Sequence, residues 1–273
     1  MNKPYPDSTQ ANALLLKEMA ESLRYAATIQ QALFPSPIQI KRWFSEYFLL
    51  FRPCQAVSGD FYHVSGRQDH AWIAVGDSTG HGVPGALMSI LGLTTLNNII
   101  TRNPAFRPAQ VLNCLREHVM LALGQTGSPK DQHDGIDISL CRLNLKDHIL
   151  EFAGAFSPIY HVSRDLLREI PGDSMPVGIG SEQERSFTET RIQLFDGDMV
   201  YLFSDGYSDQ FGGPEGKKYK YKQFRKLLAS LAVLPVAEQK ARAEREFLDW
   251  IGIQRQIDDV TLFGFRYHMS KTN

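Results

Sequence analysis

Apolar residues in this chain change their period several times, and each change marks an element. From Gln10 to Phe34 there is no glycine or proline, and Leu16, Met19, Leu23, Ala26, Gln30 and Leu33 recur at alternating three- and four-residue steps. That predicts a helix, which Pro35 and Pro37 stop. The same spacing is the a/d seam of a coiled coil, so the helix either pairs along the seam or packs on its own domain. Beyond Pro37, aromatic and branched residues predict strands over Trp43–Phe51, Val57–Val64 and Ala71–Val75. Pro84 suits the first turn of an apolar helix over Gly85–Thr101, and Pro108 starts another, through Leu123, with Val111, Leu112, Leu115, Val119 and Ala122 on one face. Gly124–Asp137 is polar and longer than a simple connection needs. Strands are predicted over Ile138–Leu143, Ile149–Ala153, Ile159–Val162, Leu167–Ile170, Phe187–Leu194 and Met199–Phe203, with Asn, Asp and Gly in the turns. Helices over Lys222–Leu231 and Val236–Ile251 and a closing strand over Ile257–Tyr267 complete the pattern. Strands in meander-like succession, with two helices inserted early and two late, predict an α+β layered fold; the βαβ alternation of a parallel sheet is absent.

Composition narrows the partners. A net charge of −1 over 273 residues gives no global field toward nucleic acid or anionic lipid. No stretch approaches the roughly 18 apolar residues of a membrane span, and the polar start, with Pro4 and Pro6, lacks the apolar core of a signal peptide. Neither nucleic acid nor membrane is therefore an expected partner. Cys54, Cys114 and Cys141 are odd in number and outside any CxxC pattern, so disulfides and zinc are not expected and a reducing cytoplasm is.

The chemistry lies at strand ends. Asp60, Asp77 and Asp205 each adjoin an apolar run, and Asp258-Asp259 precedes another. Singly, each is as readily a turn residue. Together they are four carboxylate sites able to converge on one end of a sheet, with no Lys or Arg within several residues of Asp77 or Asp205. A buried carboxylate needs a cation or hydrogen-bond donors, and oxygen-rich clusters suit hard divalent ions. Two such ions promote in-line attack of water on a phosphoryl group.

Ser58-Gly59-Asp60-Phe61-Tyr62, the run Gly76-Asp77-Ser78-Thr79-Gly80-His81-Gly82-Val83-Pro84-Gly85-Ala86-Leu87-Met88, Phe203-Ser204-Asp205-Gly206 and Asp258-Asp259-Val260-Thr261-Leu262 together resemble the metal-dependent PP2C-type serine/threonine phosphatases. They resemble most the bacterial SpoIIE/RsbU branch, in order from about Ile29 to Phe265. Ile29–Pro35 resembles that branch's helical linker, and Phe152–Pro158 its small-residue turn between central strands. The resemblance implies a PP2C-like α-β-β-α sandwich of two antiparallel sheets over residues 38–268, preceded by a helical linker over 1–37. It also implies two Mn²⁺ or Mg²⁺ ions. Asp77 would bridge them, the Ser78 backbone carbonyl would complete the first site, and Asp205 and Asp258 would bind the second ion. Asp60 would be a direct ligand or hold metal-bound waters, and an acid for a third ion would fall near Asp134 or Asp137. The implied substrate is a phosphorylated signalling protein, often of the STAS type, and the implied partner of the linker helix is a second copy. His63 stands where many relatives carry a second acid.

Three readings remain open at this level: a protein phosphatase, a non-catalytic phosphoprotein-binding or dimeric module of the same fold, and a two-metal phosphoesterase for small molecules. His81, in the glycine-rich turn, is either a proton donor to the leaving oxygen or, the preferred reading, a turn residue. The basic run through Lys217, Lys218, Lys220 and Lys222 reads as the exposed entry to a helix, with substrate selection as the functional alternative.

Overall fold

The computed structural model describes residues 8–128, 133–180 and 185–269. Helix α1 (Ser8–Leu33) leads to a short α2 (Pro37–Trp43), and strands β1 (Glu46–Arg52), β2 (Asp60–Arg67) and β3 (His70–Ser78) follow. Helices α3 (Gly82–Arg102) and α4 (Pro108–Ala122) precede β4 (Gly135–Asn144), β5 (Ile149–Ala155), β6 (Ile159–Ser163), β7 (Leu166–Ile170), the two-residue β8 (Val177–Gly178), β9 (Thr190–Gln193) and β10 (Met199–Phe203). One helical turn, α5 (Gly206–Asp209), and a small hairpin, β11 (Phe211–Gly212) with β12 (Lys217–Lys218), come next. Helices α6 (Tyr221–Leu231) and α7 (Val236–Ile251) and strand β13 (Val260–Arg266) close the chain.

Two antiparallel sheets result, ordered β1-β13-β10-β6-β7 and β2-β3-β4-β5-β9, with β8 on β4. Three apolar clusters explain the layering. Leu227, Leu228, Ala243 and Phe247 of α6 and α7 cover one sheet. Leu93, Leu96, Val111 and Leu115 of α3 and α4 cover the other. Ile73, Val75, Cys141, Val200, Leu202 and Phe263 fill the gap between the sheets. Central strands are thus buried on both faces, which is why they read as near-continuous apolar runs. This is the four-layer α-β-β-α sandwich that the resemblance implies.

Several elements differ from expectation. Residues Pro37–Trp43 form a helix, because Ser36 Oγ accepts from the Gln39 N–H and Gln39 Oε1 accepts from the Ser36 N–H, a reciprocal cap. The expected strand over Phe187–Leu194 shortens to Thr190–Gln193, the residues that pair with β5. The closing strand starts at Val260, so Ile257–Asp259 stays a loop. Among the described residues α3 is the one helix long and apolar enough to cross a membrane, a composition the sequence pattern understates; half of that stretch is buried inside the domain. Gly92 seats it there: a Cβ at that position would lie 2.5 Å from Ile136 Cδ1.

Candidate metal centre

Strand alternation decides which side chains reach the working end. In β3, Ile73 and Val75 face the inter-sheet gap, so Asp77 faces it too. Register sets Asp60 of β2 opposite Asp77 on one side and Asp137 of β4 opposite it on the other. Three carboxylates therefore stand in a row on strands about 5 Å apart. Like charges directly opposite one another destabilise a sheet unless something neutralises them.

The second sheet supplies the facing wall. β10 ends and β13 begins side by side, so Ser204-Asp205 and Asp258-Asp259 emerge together. Glycine is required after Asp205, because a Cβ on Gly206 would lie 2.0 Å from the Asp259 carbonyl oxygen. Between the walls lies a cavity of about 200 Å³, lined by Asp77, Asp137, Asp205 and Asp258 and by the Ser78–His81 turn. Asp60 sits behind it, 1% exposed. Its Oδ2 accepts hydrogen bonds from Ser204 Oγ at 2.6 Å and Thr261 Oγ1 at 2.7 Å, both from the opposite sheet. Its Oδ1 is buried without a partner.

The remaining residues frame this centre. Asp259 accepts from the Cys54 N–H at 2.6 Å and the Gly59 N–H at 2.7 Å, which fixes the loop carrying the chain from β1 to Asp60. Of the adjacent acids, Asp258 thus faces the cavity and Asp259 holds its frame. Gln30, near the end of α1, is buried; its Nε2 donates to the Ser58 carbonyl at 2.6 Å and its Oε1 accepts from the Ser58 N–H at 3.0 Å. The linker helix is therefore tied to the loop before Asp60. Thr79 is bonded to Gly135 through backbone and side chain, which fixes the turn at the end of β3. His81 is exposed at the start of α3, its Nδ1 2.7 Å from the Gln55 side-chain amide. His63 alternates onto the face away from Asp60, where it is buried 2.8 Å from Ser65 Oγ.

Desolvation and crowding leave these acids unusually basic. Asp60 is pushed up to about 8 by burial, with Asp259 and Asp258 adding to the rise and the Ser204 and Thr261 hydrogen bonds opposing it. Asp77 is held well above the ordinary aspartate range by burial and then by Asp60, Asp205, Asp258 and Asp137. Burial and Asp205 take Asp137 to about 7, while burial, Asp258 and Asp209 take Asp205 to about 6. Asp258 is raised by burial and eased by the Asp259 N–H. The neighbouring Lys218 is already paired with Asp209 at 2.6 Å.

Such a donor set fits hard divalent cations: all-oxygen, deficient in positive charge, and holding an orphaned buried carboxylate oxygen. Among the described residues no three of these side chains are drawn tightly enough to enclose an ion by themselves. They line an open cleft, the arrangement in which a small divalent ion keeps part of its water shell. Of Asp134 and Asp137, the structure puts Asp137 in the cavity, while the Asp134 carbonyl accepts from Gln125 Nε2 at 2.7 Å. The sequence does hold a sign of Asp137, an acid at the head of an apolar run, but only register places it beside Asp77.

The family model for stage II sporulation protein E (SpoIIE) matches residues 67–268, which takes in every acid lining the cavity and starts after Asp60. The chain is 23% identical over 194 residues to the phosphoserine phosphatase RsbU of Bacillus subtilis (strain 168), covering 71% of this chain and 55% of RsbU. It thus spans little more than half of that relative's length. Its fold matches the SiaA-PP2C domain of Pseudomonas aeruginosa with a TM-score of 0.84 at 29% identity, covering 93% of this chain and 99% of that one. It also matches the PP2C phosphatase domain and regulatory fragment of SpoIIE from Bacillus subtilis, with a TM-score of 0.66 at 17% identity over 82% of this chain and 61% of that one, a likeness of fold alone. With a family match spanning most of its length on a two-sheet sandwich that gathers its acids at one end, this chain belongs to the SpoIIE family.

Proposed function

We propose that this chain is a divalent-metal-dependent protein serine/threonine phosphatase. Its substrate is a phosphoserine or phosphothreonine on a bacterial signalling protein, with a STAS-type switch protein as the favoured carrier. The observation that carries this reading is one cavity walled by carboxylates from two sheets, with the unpartnered Asp60 oxygen behind it. Asp77, Asp205, Asp258 and the Ser78 backbone carbonyl would hold two Mn²⁺ or Mg²⁺ ions, with Asp60 bonded directly or through water. When bound, the ions supply charge neutralisation for the phosphoryl group and Lewis acidity toward water. Ser204 and Thr261 hold Asp60 by donating to one of its oxygens, which leaves the other for an ion or its waters. His81, preferred from the sequence as a turn residue, lines the cavity with its ring held by Gln55, which favours its alternative role as proton donor to the departing seryl oxygen. The exposed Leu14, Leu15, Leu16 and Met19 favour a second copy as the partner of α1.

One panel of assays tests the reading, with Mn²⁺ present and p-nitrophenyl phosphate and a phosphoserine peptide as substrates. Asp77→Ala and Asp205→Ala are expected to abolish both activities. His81→Ala is expected to slow the peptide roughly 100-fold and the aryl ester far less, because nitrophenolate leaves without a proton. Metal binding with no turnover of either substrate by the unaltered protein would refute the proposal.

A further inference from the structure

Beside the acidic cavity lies a second groove of about 560 Å³, between the turn joining β5 to β6 and the first turns of α6. Tyr221 links the two in space: it lines the groove, its ring lies 6.4 Å from that of Phe203, two residues before Asp205, and the preceding Lys220 N–H donates to the Ser208 carbonyl at 2.6 Å. Across the groove Lys222, Arg225 and Lys226 fall at i, i+3 and i+4, so α6 presents all three on one face. Arg225 is paired with Glu169 at 3.3 Å, and its guanidinium lies 5.7 Å from the centre of the Tyr160 ring. Lys222 and Lys226 have no acidic partner among the described residues. By contrast, Lys217 and Lys218, nearer in sequence to Asp205, are paired with Glu215 and Asp209. Lys220, between Lys218 and Lys222, also has no acidic partner among the described residues but does not line the groove, so Lys222 and Lys226 are the unpaired cations that do.

Phe156 is the second observation. It holds φ +51°, a left-handed conformation that a bulky side chain rarely adopts, and its N–H is pinned to the Asp173 carbonyl at 2.8 Å. The residue is nonetheless 51% exposed, at the edge of the groove. Backbone strain of this kind clusters at ligand clamps and active sites, and here it sets an exposed aromatic residue at the edge of a groove.

We infer that this groove docks an acidic segment flanking the phosphorylated residue of the protein substrate, with Lys222 and Lys226 pairing its carboxylates and Phe156 covering an apolar residue. The inference rests on the phosphatase reading above. Charge complementarity selects the occupant. A phosphoprotein nearing a cavity of four carboxylates gains from cations placed beside the reacting group, and an acidic flank keeps the chain running from the cavity into the groove.

Two phosphoserine peptides, alike except for three Glu or three Gln on each side of the phosphoserine, test this with p-nitrophenyl phosphate as the small probe. For Lys222→Glu with Lys226→Glu, KM for the Glu peptide is expected to rise roughly 10-fold, from two exposed charge pairs reversed. The Gln peptide and the aryl ester are expected to stay within about twofold, which also shows that the variant folds, and the Glu-peptide preference of the unaltered protein is expected to fade in high salt. Phe156→Gly, which suits the left-handed backbone, is expected to raise KM for both peptides and spare the ester. Equal KM values for the two peptides with the unaltered protein, or equal shifts in the double variant, overturn the docking inference while ester hydrolysis still stands. If the unaltered protein turns over neither ester nor peptide, the phosphatase reading falls and takes the docking inference with it.

Discussion

His63 shows how one residue can occupy a motif position without joining the site. It lies three residues from Asp60, but the two-residue period of β2 turns it onto the opposite face, where burial lowers its pKa to about 4. A histidine depressed in the folded state stabilises the fold fully above its unfolded pKa near 6.5 and loses that contribution as pH falls toward 4. The protein is therefore expected to lose about 3 kcal/mol more stability than His63→Gln between pH 7 and pH 4. Urea unfolding of both proteins at the two pH values measures this, and equal losses would sink it. Asp77 and Asp205 are visible in the sequence because each ends a run too apolar to be a surface loop. Asp137 and Asp259 are each visible only as one of two acids, beside Asp134 and Asp258, because register and loop packing decide which acid meets the cavity and which one clamps Gly59. Spacing along the chain encodes neither.

At the scale of elements, helices and strands with strong periodicity are legible, and those fixed by capping or partner strands are not. Trp43 reads as the start of a strand, yet the Ser36–Gln39 cap holds it at the end of α2. Thr190–Gln193 is the part of a longer alternating run that β5 pairs. Helix α1 is held to the domain at one end and exposed towards the other. Gln30, a seam position by spacing, is buried against Ser58 and Ser89, so the end of the helix belongs to the domain. Leu16 and Met19 are 67% and 55% exposed, the condition that pairing through the seam would require. Covering side chains of this size stabilises an interface by about 1.5–3 kcal/mol each, before the cost of association. Light scattering is expected to find a dimer at high micromolar concentration and a monomer for Leu16→Glu with Met19→Glu. A monomeric unaltered protein would rule out pairing through α1.

Across the whole molecule, the inter-sheet core ends in acids contributed by both sheets, so a bound ion would be a tie between layers as well as a reagent. Without one, Asp60, Asp137 and Asp205, raised to about 8, 7 and 6, bind protons more tightly in the folded protein than in the unfolded chain. The stability this provides is complete below the ordinary aspartate range and is lost as pH rises through 6 to 8. A divalent cation has the opposite dependence, because its ligands must be ionised, so its stabilising effect grows as those protons leave. Melting in EDTA is therefore expected to fall between pH 6 and pH 8, while the gain from Mn²⁺ widens by on the order of 5 °C. Asp205→Asn, which removes a charge from the cavity, is expected to melt higher than the unaltered protein in EDTA at pH 8 and to respond less to Mn²⁺. A Mn²⁺ gain that is the same at both pH values would show that the carboxylates facing this cavity are not what the ion binds. The two-sheet sandwich would then be holding its row of acids together without the cation that their burial calls for.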